Sequence, residues 1–217
     1  MRRVMAPVAI CVCLSLTVGW AALKGHHTAK SSGQFEYYLL ALSWAPNYCA
    51  GHPGDHSIEC QTGKHANFVL HGLWPQTNTG QQPTNCAPAS PVASATVRHM
   101  LQFFPSAGLV QHEWATHGTC SGLAAADYFG KVEQAFTAVN VPSQYRRLDH
   151  SQNLSVKEVE QAFASANNAP AGAFRISCHA GELVNLEVCL NKDLQYQACT
   201  ASLRECPSAQ VLMRPVK

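Results

Sequence analysis

Two periods organise the apolar positions of this chain. From Phe35 to Trp44, aromatic and aliphatic residues follow one another with few charges, as in a buried strand. Asn67–Trp74 reads as a second strand, ended by Pro75. Between them, residues 45–65 are rich in Pro, Gly and His, carry Cys49 and Cys60, and read as a stapled loop. Residues 76–91 hold Pro, Gly, Asn and Gln and read as an exposed loop. The spacing then turns helical. Val97, Met100, Leu101 and Phe104 recur along Val92–Phe104, which Pro105 stops. Gly108–His117 is a short helix closed by Gly118. Asp127–Val139 gathers Tyr128, Val132, Ala135, Phe136 and Val139 on one face. Ser155 and Glu158 form a capping box ahead of Val156, Val159 and Phe163. Beyond Pro170 strands return, at Ala173–Cys178 and Glu182–Leu190. Strands at both ends with helices between predict an α+β fold, a central and mainly antiparallel sheet with several helices packed around it.

The first residues stand apart from that core. Arg2 and Arg3 precede an apolar run, Val4–Val18, and Gly19, Ala21 and Ala22 follow. This is the layout of a secretory signal peptide, and the run falls short of the ~20 residues that span a bilayer. The expected division is a leader over residues 1–24, a polar tail over 25–34 and one domain over 35–217. The mature protein is then secreted or periplasmic, with no membrane partner.

Of ten cysteines, Cys11 and Cys13 leave with the leader, and eight remain: Cys49, Cys60, Cys86, Cys120, Cys178, Cys189, Cys199 and Cys206. An even count behind a leader predicts disulfides in an oxidising compartment. No Cys-x-x-Cys pair of the kind structural zinc sites use is present. A hydrophobic fraction of 47% against 13% charged supports a real core and excludes a disordered chain. Fifteen basic and 13 acidic residues balance to zero once Arg2 and Arg3 are lost, so no global field draws in polyanions. Eleven histidines make the charge rise as pH falls through about 6.5. Nothing points to an oligomer, and a monomer is expected.

Two segments carry chemistry: Asn67-Phe-Val-Leu-His71-Gly-Leu-Trp74-Pro-Gln76 and Gln111-His112-Glu113-Trp114-Ala-Thr116-His117-Gly-Thr-Cys120. A zinc-binding helix needs histidines four apart, whereas His112 and His117 are five apart and diverge by roughly 140° on a regular helix. Glu113 and His117 are the pair that shares a face. No metal and no cofactor are expected. A carboxylate beside an imidazole can position a general base, and a histidine from another segment can serve as the acid. Such a pair placed across a phosphodiester cleaves RNA through its own 2′-OH. Trp74 can stack on a base or pack in the core.

The segments Phe68–Pro75 and His112-Glu113-Trp114-x-x-His117-Gly118-Thr119-Cys120 resemble the two active-site signatures of the ribonuclease T2 family, and the style is closer to bacterial members. The likeness runs from Tyr37–Trp44 to the cysteine-rich end. It implies a metal-independent endoribonuclease acting on single-stranded RNA, with His117 as general base and His71 as general acid. His112 would hold phosphate and Glu113 would steady the pentacoordinate transition state. Products would be 2′,3′-cyclic phosphates and then 3′-phosphates. Trp74 would contact the base on the 5′ side, with Gln76 and Thr116 also on the substrate. The likeness further implies disulfides Cys49–Cys60, Cys86–Cys120, Cys178–Cys206 and Cys189–Cys199. Three residues set this chain apart: Thr116 where many relatives have Lys, Gln76 where many have an acidic or amide residue that reads the base, so that no base preference carries over, and Ser43 where some have Gln. The alternative is a secreted RNA-binding protein on the same fold with weak or no catalysis.

Overall fold

The computed structural model describes residues 32–217, so the leader expected over residues 1–24 and most of the tail expected over 25–34 lie outside the described residues. Ser32 and Gly33, the end of that tail, are bonded to the carbonyls of Thr119 and Cys120. The elements in chain order are β1 (Tyr37–Trp44), α1 (Ala45–Gly51), β2 (Phe68–Gln76), α2 (Ser94–Met100), α3 (Ala107–Thr116) and α4 (Ala125–Thr137). They continue with α5 (Ser143–Arg146), β3 (Gln152–Ser155), α6 (Val156–Ala166), β4 (Phe174–His179), β5 (Glu182–Leu190) and β6 (Gln210–Met213).

The six strands form one sheet in the order β2-β1-β5-β6-β3, with β4 also on β5. Every pairing is antiparallel except a single parallel contact, Glu182 with Leu212, between β5 and β6. The fold is therefore α+β. One face of β1 puts Tyr38, Leu40, Leu42 and Trp44 into the main core with Phe68, Leu70, Leu73, Phe163 and Phe174. Its other face places Tyr37 and Leu39 against Cys189, with Trp74, Cys199 and Leu203 packed around them. Burial on both faces is why this strand shows no polar alternation. α4 and α6 supply the far wall of the main core through Tyr128, Phe129, Val132, Val159 and Phe163. Ser155 caps α6 by accepting the Glu158 N–H.

One expectation at β2 is corrected. The strand does not end at Pro75 but continues to Gln76. It is an edge strand, where a residue lacking an N–H leaves no ladder bond broken. The strand also carries a bulge. Ala41 lies opposite Gly72 and Leu42 opposite Leu70, so His71 is an extra residue. The phase of the core positions changes with it, from Phe68 and Leu70 to Leu73.

The stretch expected to be a loop at 45–65 opens with the helix α1, started by Pro46 in its first turn. Asn47 holds that helix to the sheet. Its Nδ2 donates to the carbonyls of Leu183 and Leu212, and its Oδ1 accepts the Arg214 N–H. Such tertiary bonds leave no periodic trace. The helix expected over Val92–Phe104 is shorter, and β3, β6 and α5 were not anticipated.

Four disulfides join Cys49 to Cys60, Cys86 to Cys120, Cys178 to Cys206 and Cys189 to Cys199. Cys86–Cys120 closes a loop between residues 34 apart, between β2 and the turn after α3. Asn85 adds a backbone bond to Thr116 at the same place. Replacing Cys86 and Cys120 together by Ala should lower unfolding free energy by roughly 3–4 kcal/mol, the loop-closure value for this length. Denaturant titration of both proteins checks it, and an unchanged midpoint would mean the crosslink restrains nothing.

Candidate active site

α3 is capped by Ser106, whose Oγ accepts the Leu109 N–H, and it ends at Thr116. His117 lies just past its end, with φ −116° and ψ −44°, and leads into a 3-10 turn, Gly118–Cys120. Gly118 is not the left-handed cap the sequence suggested. It is required for space, because a Cβ there would fall 2.4 Å from the Trp114 ring and 2.9 Å from Tyr128. Departure from helical geometry at His117 also overturns the argument from spacing. The rings of His112 and His117 come within 6.4 Å between centroids. Ligand atoms of His112, Glu113 and His117 all lie within 4.8 Å of one another, so these three residues could hold a cation.

Glu113 is the deepest of them, with no exposed surface. Its carboxyl lies over the backbone of β2 at Gly72, where a Cβ would sit 2.0 Å from Oε2. Trp74 Nε1 donates to the same Oε2 at 2.8 Å. Oε1 has no hydrogen-bond partner and lies 3.8 Å from His71 Nε2. The Trp74 ring sits against both outer histidines, 5.1 Å from His71 and 5.2 Å from His117 between centroids. The two signature segments are thus locked through one indole and one carboxyl.

Burial sets the electrostatics. It pushes the Glu113 carboxyl up to about 8, against the opposing bond from Trp74. It pushes His117 down to about 4, helped by the neighbouring His112 and His71. His71 is also held below the usual histidine value by burial, while the Asn185 side chain favours its charged form. The site therefore holds a neutral carboxyl and readily deprotonated imidazoles in mildly acid solution.

A cavity of about 460 Å³ opens beside His71 and His112, with Ser43, Tyr48, Leu109 and Asn185 also on its walls. His112 is exposed at its rim. Thr116 is half-buried, with Oγ1 3.5 Å from His112 Nδ1. Trp74 is half-buried rather than exposed, and Gln76 at the end of β2 is buried, 5% exposed. The sequence reading missed Gly72 and the buried polar residues Asn185 and Glu187 on β5. The signals were there. Leu70 and Leu73 break strict alternation around Gly72, and Asn185 and Glu187 interrupt an otherwise apolar strand.

Comparison with known proteins places these features in context. Residues 35–199 match the model of the ribonuclease T2 family. A ribonuclease of Aeromonas hydrophila is 42% identical over 97 residues, covering 45% of this chain and 43% of that protein. A probable ribonuclease of Haemophilus influenzae is 33% identical over 134 residues, covering 55% and 48%. The chain thus spans about half the length of these two relatives or less. Among solved structures, an RNase-related protein from Calystegia sepium aligns with a TM-score of 0.70 at 20% identity, over 84% of this chain and 98% of that one. At that identity the likeness speaks for the fold.

The buried Glu113 and Glu187 and the half-buried Glu59 predict how stability varies with pH. Glu113, raised to about 8, and Glu59 and Glu187, raised to about 7, all titrate above the ordinary 4.5. Their contribution is complete below 4.5 and is lost as pH rises through 7 to 8. His117 works the other way. Its contribution is complete above 6.5 and is lost as pH falls through about 4. The melting temperature should therefore be highest in mildly acid buffer and fall from pH 5.5 to pH 9. Glu113→Gln should flatten that alkaline fall. Calorimetry across the range checks it, and identical profiles for the two proteins would refute the assignment.

Proposed function

The chain belongs to the ribonuclease T2 family, and we propose that it is an endoribonuclease that cleaves single-stranded RNA without a metal ion. The observation that carries this reading is the pair His71 and His117, brought from different elements against one indole that is itself bonded to a buried carboxyl. A base and an acid positioned by one rigid ring suit in-line transfer at phosphorus.

In the first step His117 takes the proton of the ribose 2′-OH. The freed oxygen attacks the adjacent phosphorus, and the bond to the 5′-oxygen breaks. His71 gives its proton to that leaving oxygen. The product is a 2′,3′-cyclic phosphate. In the second step water replaces the leaving alcohol with the roles reversed, and a 3′-phosphate results. Glu113 is protonated at the working pH, and its unpartnered Oε1, enclosed 3.8 Å from His71 Nε2, steadies the transition state from behind that histidine. Exposed His112 meets the phosphate at the rim of the cavity. Of the two candidates for the 5′ base, Trp74 is partly accessible and Gln76 is not, so we assign that contact to Trp74. The four disulfides fit a protein that works outside the cytoplasm, as a secreted or periplasmic enzyme.

The test is purified protein on RNA in the presence of EDTA. Cyclic-phosphate ends are expected, and RNA binding without products would favour the non-catalytic alternative. His71→Ala and His117→Ala should each lower turnover by about 100-fold or more, while His112→Ala should act mainly on KM. Full turnover by folded His117→Ala would remove it as the base.

The rate should follow a bell in pH. His117 must be neutral, which holds above about 4. His71 must be protonated, and that form is lost as pH rises through a value that burial holds below the ordinary 6.5. The optimum is therefore acidic, and a kcat/KM that is flat from pH 6 to pH 9 would contradict this division of labour.

Thr116 offers the phosphate a hydroxyl where many relatives offer an ammonium. His112, 3.5 Å away, is the neighbouring side chain that can take that place at the phosphate. Thr116→Lys should raise turnover and soften the penalty of His112→Ala. A double-mutant cycle at pH 5 to 7 checks the coupling, and additive effects would make residue 116 a bystander.

A further inference from the structure

His71 is the extra residue of the β2 bulge, and its ring has partners on both sides. Nε2 faces Glu113 and the cavity. Nδ1 faces the sheet, 3.4 Å from Ser43 Oγ on β1. Ser43 is in turn directly opposite Asn185 of β5 in the ladder, and its Oγ lies 2.7 Å from Asn185 Oδ1. A hydroxyl has one hydrogen to give. Asn185 Oδ1 can only accept, and at 2.7 Å it is the much better partner than a ring nitrogen at 3.4 Å. The Ser43 hydrogen therefore points at Asn185. Only lone pairs are left toward His71, so the contact is a hydrogen bond only if Nδ1 carries a hydrogen.

We propose that Ser43 and Asn185 are positioning residues for His71, forming a relay across β5, β1 and β2 that keeps Nδ1 in its N–H form and leaves Nε2 as the nitrogen that exchanges a proton. The relay suits a general acid. Nδ1–H persists in both charge states of the ring, so the ring need not reorient between the two steps. Its bond to oxygen also favours the cation, and the Asn185 side chain opposes the lowering caused by burial. The other titratable groups facing His71 leave Nδ1 alone. Glu113 lies at Nε2, and His112 and His117 act only through their charge. Asp55 and Glu59 line the same cavity, and neither is bonded to the His71 ring. Glu187, next on the same face of β5, is engaged by Ser177. Ser43 stands where some relatives have Gln, so the relay is not part of what the resemblance implies.

The catalytic meaning of the relay rests on His71 being the general acid, but its existence does not, so the first test needs no RNA. Ring-nitrogen NMR of ¹⁵N-histidine-labelled protein at neutral to alkaline pH reads the tautomer of His71 directly. The wild type should be Nδ1–H. Ser43→Ala removes the acceptor and should move the ring to Nε2–H or a mixture. Asn185→Ala should do the same with Ser43 still present, because its hydrogen is then free to turn toward Nδ1. Ser43→Thr should restore the wild-type tautomer. An Nε2–H wild type, or Nδ1–H retained in both alanine variants, would overturn the relay whether or not the protein cleaves RNA. The second test is the pH profile of kcat/KM. Ser43→Ala should shift its alkaline limb toward acid by about half a unit to one unit, the worth of one hydrogen bond to the charged ring. An unshifted limb alongside a changed tautomer would leave the relay standing and remove His71 as the acid.

Discussion

A carboxyl group with no access to water, laid over a strand position that has no side chain, is the constraint on which the site depends. Glu113 can occupy that place only because residue 72 is glycine. Once there, it fixes Trp74 through the indole N–H, and the Trp74 ring packs against both histidines. Its burial also decides its charge. A carboxylate in that position would be stranded in a low dielectric, so the group holds its proton instead. Packing and chemistry are therefore one arrangement, and neither segment could be moved without the other.

The main strands and both signature segments were legible in the sequence because they are periodic or chemically unusual. The strand at Glu182–Leu190 has the limits expected of it, and Ser155 does cap the helix it precedes. The misses have a common cause: geometry that tertiary contacts impose on a few residues. α1 is pinned by Asn47, whose partners are 136 or more positions away in sequence. His117 was treated as helical, and that single assumption sent its ring away from His112, whereas a break of one residue brings them together. Gly118 was given a conformational reason when its reason is space. Cysteine spacing could not choose among pairings, since disulfides join residues that the fold, not the chain, makes adjacent.

The electrostatic design relies on histidines more than on permanent charge. Overall charge is close to balanced, and His112, at the cavity rim, has no neighbouring lysine or arginine within its own segment. The buried Glu113 and Glu187 and the half-buried Glu59 hold protons that ordinary carboxyls would lose, and His117 and His71 resist gaining them. The protein is thereby least burdened with buried charge in mildly acid solution, the same range in which exposed histidines would add positive charge toward a polyanion.

The bulge in β2 makes the direction of His71 a matter of counting. Hydrogen bonding to β1 resumes on either side of the inserted residue, so the ladder does not specify where the histidine points; the one-residue offset does. Loss of one residue from this stretch would let β2 pair in unbroken register and would set its two halves on one alternation. The leucines would keep the core face and the tryptophan the other, but the strand would have lost either the histidine or the glycine over which the Glu113 carboxyl lies. For comparison among relatives, chain length across these few positions is thus as informative as the identity of the histidine itself.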